Sequence, residues 1–221
     1  MNRPEHQGFR RIARETMNDR VYEEIRRVVM GGQLQPGSSV TIRGLAEKLG
    51  TSTMPVRDAL RRLLVERILE VDGQRRFRLR SLSRDEFEEI LALRLQLEGD
   101  LAELAALVIT ETDLATLREI QSQIEANLSR DENFLRSNQE FHFHLYACAQ
   151  RPITIEIIES LWLQVGPLLN YYRQRHGGDV AIQHHRNIIL ALQERNPIAV
   201  RTAVQADLRD AAAVILEEMR A

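Results

Sequence analysis

The clearest hydrophobic pattern in the chain lies between residues 41 and 67, where apolar positions recur at helical spacing on both sides of Gly50. Before this glycine, the positions that share one helical face are Ile42, Leu45, Ala46 and Leu49. After it, the corresponding face consists of Val56, Leu60, Leu63 and Leu64. Thr41 can cap the first helix, Ser52 or Thr53 can cap the second, and Pro55 falls in the first turn of the second. The pattern predicts a helix-turn-helix whose arginine-bearing second helix is of the kind that enters a DNA major groove.

Apolar and polar residues alternate with period two in the two segments that follow, residues 68–71 and 77–80. This alternation predicts a β-hairpin, the wing of a winged helix. Arg75 and Arg76 lie at its tip, where a DNA backbone would run. Ahead of the helix-turn-helix, the spacing predicts a further helix over residues 18–31.

From Ser83 onward the apolar spacing is helical throughout. Ser83 and Glu86 have the spacing of a capping box, which begins a helix that ends near residue 108. Further helices are predicted at residues 112–128, 131–149, 153–175, 180–194 and 197–219. Short connections between helices favour antiparallel packing. The predicted fold class is therefore mainly α, with an N-terminal winged helix-turn-helix and a C-terminal antiparallel all-α bundle.

The charge of the chain changes sign near the same boundary. Residues 1–80 contain 17 Lys and Arg against 10 Asp and Glu, whereas residues 81–221 contain 13 against 22. A basic module joined to an acidic one is expected when only the first meets a polyanion. We therefore expect a flexible N-terminal arm at residues 1–17, a DNA-binding domain at residues 18–80 and a helical domain over the remainder.

The rest of the composition excludes several classes of protein. No stretch approaches the ~18–20 apolar residues of a membrane span, and the first residues lack the apolar core of a signal peptide. The single cysteine, Cys148, excludes an internal disulfide framework and lies in an apolar helical run, which indicates a buried structural thiol. We expect a cytoplasmic protein with no membrane partner.

Short motifs in both parts resemble the GntR family of bacterial transcription regulators, in the subfamily with a FadR-type FCD ligand-binding domain. The N-terminal motifs are Pro36-Gly37, Leu45-Ala46, Leu49-Gly50 and Pro55-Val56-Arg57-Asp58-Ala59-Leu60 followed by Arg62-Leu63. The C-terminal motifs are Leu93-Arg94 with Glu98, Phe141-His142, and His185-Arg186-Asn187-Ile188 leading to Ala191-Leu192. The resemblance implies a regulator rather than an enzyme, with residues 81–221 serving effector binding and dimerisation.

The resemblance also implies which residues face DNA. The family's DNA-facing positions are occupied here by Arg43, Ser52, Thr53, Met54, Pro55 and Arg57. Arg57 is best suited to bidentate recognition of a guanine edge, and Ser52 and Thr53 can reach phosphates from a helix N-terminus. Two residues depart from the family pattern, because Thr53 replaces a usual arginine and Arg76 replaces a usual wing glycine. The operator should therefore differ from the commoner family sequences.

A metal centre in the bundle is a further implication of the resemblance. Many FCD domains hold a metal through an Asp and a His four residues apart and two more histidines on later helices. The corresponding residues here are Asn138, His142, His185 and Asp207. The Asp has become Asn and the last His has become Asp, so the set keeps one carboxylate. Imidazole and oxygen ligands suit Zn²⁺, Ni²⁺, Mn²⁺ or Fe²⁺, while ordinary hydrogen-bonded histidines are the alternative.

Arg94 stands in an otherwise apolar helix and needs an anionic partner if it is buried. An ion pair with Glu98, four residues later, is one interpretation. In the family an arginine at this position commonly lies near an effector carboxylate. If Arg94 lies near an effector carboxylate and the metal ion has an open coordination position, the effector is expected to be a small carboxylate or sugar acid.

The main interpretation is a ligand-responsive regulator that binds a palindromic operator as a homodimer, with a repressor favoured over an activator. One alternative is a metal-dependent hydrolase tethered to DNA, although no general base or nucleophile stands out beside the candidate ligands. The other alternative is a pure metal sensor without an organic effector.

Overall fold

A computed structural model confirms the fold class and divides the chain into a winged-helix half and a helical-bundle half. It describes residues 16–72, 76–126, 134–176 and 179–220. Nearly all of the expected N-terminal arm lies outside these residues, as do the helix breaks expected near residues 129–130 and 177–178.

The N-terminal half contains the helices α1 (Met17–Met30), α2 (Ile42–Lys48) and α3 (Thr53–Val65). A capping box begins α1, because the Thr16 hydroxyl accepts from the Asp19 amide while the Asp19 carboxylate accepts from the Thr16 amide. Thr41 caps α2 as predicted, accepting from the Gly44 amide at 3.1 Å. The apolar face of α3 is buried completely at Val56, Leu60 and Leu63.

A small antiparallel sheet completes this half. Its strands are β1 (Ser39–Val40), β2 (Leu69–Val71) and β3 (Phe77–Leu79), in the order β1-β3-β2. The predicted wing hairpin is confirmed, with Val71 opposite Phe77 and Leu69 opposite Leu79. The sequence did not predict β1, which pairs Val40 with Phe77. A strand of two residues is too short to show alternation, so only its pairing reveals it.

The C-terminal half is a bundle of the helices α4 (Arg84–Val108), α5 (Glu111–Ala126), α6 (Phe134–Cys148), α7 (Pro152–Val165), α8 (Leu169–His176), α9 (Asp179–Gln193) and α10 (Pro197–Glu218). The main packing contacts join α10 to α4 and α9, and α5 to α6 and α9. The capping box predicted at Ser83 and Glu86 is present at the start of α4. Across the described parts of the chain, no helix combines the length and the apolar character needed to cross a bilayer.

The prediction of one continuous helix over residues 153–175 is wrong. A 3-10 turn at Gly166–Leu168 separates α7 from α8. Pro167 has no N–H to donate within a helix, which favours a break here. Gly166 also lies against the end of α1, where an added Cβ would stand 2.7 Å from the Met30 carbonyl oxygen. The break therefore allows the bundle to approach the winged helix closely.

The two halves meet where α1 ends. Gly32 has a φ of 62°, and a Cβ there would lie 2.6 Å from the Leu135 side chain of α6. Asn170 of α8 is buried and donates from its amide nitrogen to the Gly32 carbonyl oxygen. Arg26 of α1 pairs with Glu159 of α7 at 3.3 Å. The junction thus ties the first helix of the winged half to three helices of the bundle.

Candidate nucleic-acid interface and metal centre

The outer face of the helix-turn-helix exposes most of the residues predicted to face DNA. Arg43 on α2 is exposed, as are Thr53, Met54 and Arg57 on α3. Among the described residues, neither Arg43 nor Arg57 forms an ion pair. Both guanidinium groups are therefore available to a polyanion, and the planar fork of Arg57 matches the two acceptors of a guanine edge.

The N-terminus of α3 is left open by its own cap residue. Ser52 occupies the N-cap position and is exposed, but its side chain makes no capping hydrogen bond, unlike Thr16 and Ser83. The first amides of α3 keep their N–H groups for an outside acceptor. Such a helix end attracts phosphate through both its donors and its dipole.

Pro55 was predicted among the DNA-facing residues, and the structure contradicts this because Pro55 is buried. The ring lies in the first turn of α3, where the missing N–H costs nothing, and it shapes the start of the helix.

Arg62 is also structural. Its guanidinium pairs with Asp19 at 3.1 Å and lies 3.6 Å from the ring centroid of Tyr22.

The wing presents Arg76 to solvent. The Arg76 amide donates to the Asp72 carboxylate at 2.9 Å, and the Asp72 amide donates to the Arg76 carbonyl oxygen at 3.0 Å. Arg78 holds the base of the wing by donating to the Gly37 carbonyl oxygen at 2.8 Å. Arg75, the other tip residue named from the sequence, lies outside the described residues.

Inside the bundle, His142 of α6, His185 of α9 and Asp207 of α10 converge. One ligand atom from each lies within 4.8 Å of the other two. His142 Nε2 and Asp207 Oδ2 are 3.0 Å apart. All three side chains are buried. The fold therefore brings together three of the four residues that the sequence named as metal ligands.

The hydrogen bonds around His142 determine which ring nitrogen carries a proton. The Tyr146 hydroxyl donates to the fully buried Glu98 at 2.7 Å. Burial, and next the charge of Glu98, raise the pKa of Tyr146 well above its ordinary value, so the phenol keeps its proton. The Tyr146 oxygen is left to accept from His142 Nδ1, 3.2 Å away. In the neutral imidazole of His142, the Nε2 lone pair then faces the Asp207 carboxylate. Because Nε2 and the carboxylate oxygen are both acceptors, their contact needs a proton or a metal ion between them.

His185 is oriented in the same way by a residue that sequence reasoning did not single out. Gln121 Nε2 donates to Glu125 at 2.8 Å, so Gln121 Oε1 accepts from His185 Nδ1 at 2.9 Å. His185 Nε2 is buried and has no hydrogen-bond partner among the described residues. Burial, reinforced by the charge of His142, lowers the pKa of His185 to about 3, which keeps the ring neutral. A neutral imidazole with one nitrogen tied outward and the other unpartnered is arranged as metal-binding histidines are.

Asp207 remains ionised although it is buried. Burial by itself raises the pKa of the carboxyl, but the hydrogen bond and the charge of His142 hold that pKa below its ordinary value. Two imidazoles and one carboxylate form a donor set that fits a divalent first-row metal ion. The side chains in this site therefore fit the group that the resemblance implied.

Asn138, the fourth predicted ligand, stands one turn before His142 and lines a small cavity beside His142 and Asp207. The cavity has a volume of about 20 Å³, and Leu135 and Leu169 form part of its wall. A space of this size holds about one water-sized group. It accommodates an ion-bound water or one ligand atom, whereas a whole sugar acid requires the walls to move apart.

Arg94 also lines this cavity, but its guanidinium already has a partner. Arg94 Nε donates to Glu98 Oε1 at 2.5 Å, and Nη2 lies 3.4 Å from Oε2. The guanidinium carbon is 4.6 Å from a ring centroid of Trp162, whose indole N–H donates to Glu98 at 3.1 Å. The ion pair that the spacing suggested is therefore present, and any effector meets Arg94 as part of this pair.

Sequence reasoning missed Gln121 and Trp162 as partners of the site. Gln121 had a detectable signal, because it is a polar residue at a buried position of α5 between Leu117 and Ile124. Trp162 had none, since buried aromatic residues in helices are mostly plain core. Tyr146 lies one turn after His142 on the same helix, a spacing that suits either a supporting residue or plain core.

Comparisons with known proteins match both halves of the chain. Residues 17–79 match the bacterial regulatory proteins of the gntR family, and residues 89–210 match the FCD domain. The HTH-type transcriptional regulator McbR of Escherichia coli K12 is 29% identical over 187 residues, which cover 84% of this chain and 85% of McbR. The solved structure of E. coli McbR/YncC has a TM-score of 0.84 at 26% identity, covering 93% of this chain and 99% of that one. The E. coli K12 transcriptional repressor RspR is 24% identical over 200 residues, covering 89% of this chain and 87% of RspR.

An exposed recognition helix with a wing, joined to a helical bundle that encloses a ligand cluster, defines a DNA-binding transcription regulator. The chain belongs to the GntR family of bacterial regulators, with an FCD domain as its C-terminal half. The family predicted from the sequence is confirmed, and the relatives named above are transcription regulators.

Proposed function

We propose that the chain is a ligand-responsive repressor whose bundle binds a small organic acid at a metal centre. The observation that carries this proposal is the buried convergence of His142, His185 and Asp207, with His185 Nε2 unpartnered among the described residues. Buried polar atoms are seldom left without a partner, and a metal ion would satisfy this one.

His142, His185 and Asp207 would hold the metal, with Asn138 as a weaker oxygen ligand. Two neutral imidazoles and one carboxylate leave a divalent ion with net positive charge. Zn²⁺, Ni²⁺, Mn²⁺ and Fe²⁺ all accept this donor set. When bound, the ion supplies a coordination position that attracts an anionic oxygen.

A small carboxylate or sugar acid is the effector that suits such a centre. One carboxylate oxygen would bind the metal, and Arg94 has N–H donors beyond the two nitrogens that Glu98 engages. Because the cavity measures about 20 Å³, an acid of several carbons enters only when α6 and α8 move apart.

That movement offers a physical route to the DNA-binding half. Leu135 lines the cavity and also lies against Gly32 at the end of α1. Leu169 lines the cavity too, and its neighbour Asn170 donates to the Gly32 carbonyl oxygen. An acid that displaces these walls displaces the junction, so acid and DNA change each other's affinity reciprocally.

On the DNA side, we propose a two-fold homodimer that presents two recognition helices to a palindromic operator. The repressor assignment is supported by the name of RspR, which is a transcriptional repressor. Light scattering of the purified full chain, alone and with operator DNA, measures the oligomeric state.

The proposal is tested by fluorescence anisotropy with DNA from the promoter region of the chain's own gene. We expect affinity to fall by orders of magnitude as salt rises, because phosphate contacts release counterions. A panel of carboxylates and sugar acids should then change the DNA affinity of the metal-loaded protein by about 5–150-fold, the usual range of allosteric coupling. Chelator-treated protein should not respond. The proposal fails if binding is insensitive to salt, or if the acid response survives chelation unchanged.

A metal sensor without an organic effector is the second candidate, and the small cavity favours it. In that case metal alone changes the DNA affinity, and no acid in the panel changes it further. Adding metal and acid in separate steps to the same anisotropy measurement distinguishes the two functions.

A further inference from the structure

A second group of metal-ligating side chains lies outside the buried centre, between α5 and α6. Asp113 comes from the first turn of α5, and His144 and Cys148 come from successive turns of α6. One ligand atom from each lies within 4.8 Å of the others. The group is separate from the buried centre, because His144 is two residues after His142 and so points to a different side of α6.

The hydrogen bonds within this group leave one atom of each residue for a further partner. Asp113 uses Oδ2 to accept from the Thr110 amide and hydroxyl at 3.0 and 2.6 Å, while Oδ1 lies 3.9 Å from His144 Nε2. His144 Nε2 is buried and has no hydrogen-bond partner in the described residues. The Cys148 thiol donates to the carbonyl oxygen of His144 at 3.3 Å, which leaves the sulfur lone pairs unused.

We propose that Asp113, His144 and Cys148 form a zinc site on the surface of the bundle, with a fourth position open to water. A thiolate, an imidazole and a carboxylate are ordinary zinc ligands, and the sulfur favours zinc over magnesium or calcium. Zinc–ligand bonds of about 2.0–2.3 Å put ligand atoms roughly 3.5 Å apart in a tetrahedron, so small side-chain rotations close the present spacing. All three residues are partly exposed, which gives the ion a path of entry.

Zinc must displace the thiol proton to bind here. Burial, and next the charge of Asp113, raise the pKa of Cys148 to about 11. A coordinated divalent cation deprotonates a thiol outright, and the Asp113 carboxylate then offsets the charge of the ion. The bound ion would join the start of α5 to α6, the two helices that carry Gln121 and His142.

The test uses cobalt as a spectroscopic substitute for zinc in the chelator-stripped full chain. Cys148 is the only cysteine in the sequence, so a thiolate-to-cobalt charge-transfer band in the near ultraviolet reports this site alone. We expect the band in the wild-type chain and in the His142→Ala/His185→Ala variant, and its bleaching when zinc is added. The result is thus independent of whether the buried centre binds metal.

Three conservative variants decide whether the ligands act together. The band should be lost in Cys148→Ser and should weaken at least tenfold in apparent cobalt affinity in His144→Gln and Asp113→Asn. Circular dichroism of each variant checks that it folds, and calorimetry should show one zinc fewer per chain in Cys148→Ser than in wild type. Absence of the band at saturating cobalt overturns the proposal, as does a band of wild-type affinity in both His144→Gln and Asp113→Asn.

Discussion

The tautomers of two histidines determine what the buried cluster can bind. His142 and His185 each direct Nδ1 toward an acceptor, Tyr146 and Gln121 respectively. Both assignments follow from the partners' own hydrogen bonds, to Glu98 in one case and to Glu125 in the other. His185 Nε2 is consequently directed inward without a partner among the described residues, and His142 Nε2 faces Asp207, where a metal ion would replace the proton between them.

Replacing Gln121 by Ala should weaken zinc binding about 10–100-fold, because His185 loses the acceptor that holds its Nδ1–H. Competition with a colorimetric chelator measures the affinity, in the Cys148→Ser background so that only the buried centre is titrated. Gln123→Ala, on the exposed side of the same helix, is the matched control and should retain wild-type affinity. If Gln121→Ala also retains it, His185 does not bind the metal as proposed.

Arg57 carries the prediction for DNA specificity. Arg57→Ala should cost about 1–3 kcal/mol of affinity for the operator and should relax discrimination at one base pair, as expected for a bidentate contact to guanine. Binding curves with the operator and with single-base variants measure both effects. Arg118→Ala removes one exposed charge from α5 and should leave operator affinity unchanged. A uniform loss across all DNA sequences would instead indicate that Arg57 contacts only phosphate.

The sequence named three residues that converge in the buried cluster, His142, His185 and Asp207, but not all of the residues that surround them. His142 and Asn138 share a helix face by spacing alone, whereas the resemblance was needed to add His185 and Asp207. Gln121 and Trp162 come from α5 and α7, so their proximity to the site depends on tertiary packing. Pro55 was misplaced because a family position was read as surface, whereas the first turn of α3 buries it.

Among the elements, the starts of α3 and α4 differ in how their caps are used. Ser83 makes a reciprocal capping box with Glu86 at the start of α4. Ser52 at the start of α3 has the same extended backbone conformation but makes no side-chain capping bond. A cap side chain that accepts a hydrogen bond from the first amides of its helix stabilises the fold. Where the cap side chain makes no such bond, those amides remain available to a ligand.

This difference gives a paired prediction. Ser83→Ala should lower the free energy of unfolding by about 1 kcal/mol, since it removes a capping hydrogen bond. Ser52→Ala should have a much smaller effect on stability but should weaken DNA binding. Urea denaturation of the full chain and anisotropy with operator DNA measure the two quantities. Equal destabilisation by both substitutions would contradict the distinction.

Most helix boundaries with local signals were predicted, but the break at Gly166–Leu168 was missed. The Gly166-Pro167 pair is a local signal for a break, yet helical residues on both sides favoured one continuous helix. What requires the break is the contact of Gly166 with the Met30 carbonyl oxygen, which joins segments far apart in sequence. The strand β1 was missed for a similar reason, because only its pairing with β3 defines it.

For the whole molecule, the junction around Gly32 determines whether the two halves can communicate. Asn170 and Leu135 reach Gly32 from the bundle, and both belong to helices that border the cavity beside His142 and Asp207. The division of charge predicted which half meets DNA. The sequence could not predict the junction, because neither half shows in its own pattern which surface the other half covers.

Replacing Asn170 by Ala should reduce the response of DNA affinity to bundle ligands while leaving metal content unchanged. The substitution removes the amide that donates to the Gly32 and Pro167 carbonyl oxygens. Anisotropy with and without metal and acid gives the coupling factor, and Asn187→Ala on the exposed side of α9 is the control. A wild-type coupling factor in Asn170→Ala would mean that the signal does not pass through this contact.

The proposed function requires that the bundle of this regulator hold a metal ion on His142, His185 and Asp207. The most direct measurement is the metal content of the dialysed full chain by mass spectrometry, compared between wild type and the His142→Ala/His185→Ala variant. We predict that the variant contains about one ion per chain fewer than wild type, since it lacks both imidazole ligands. Equal metal content in the two proteins would contradict the account.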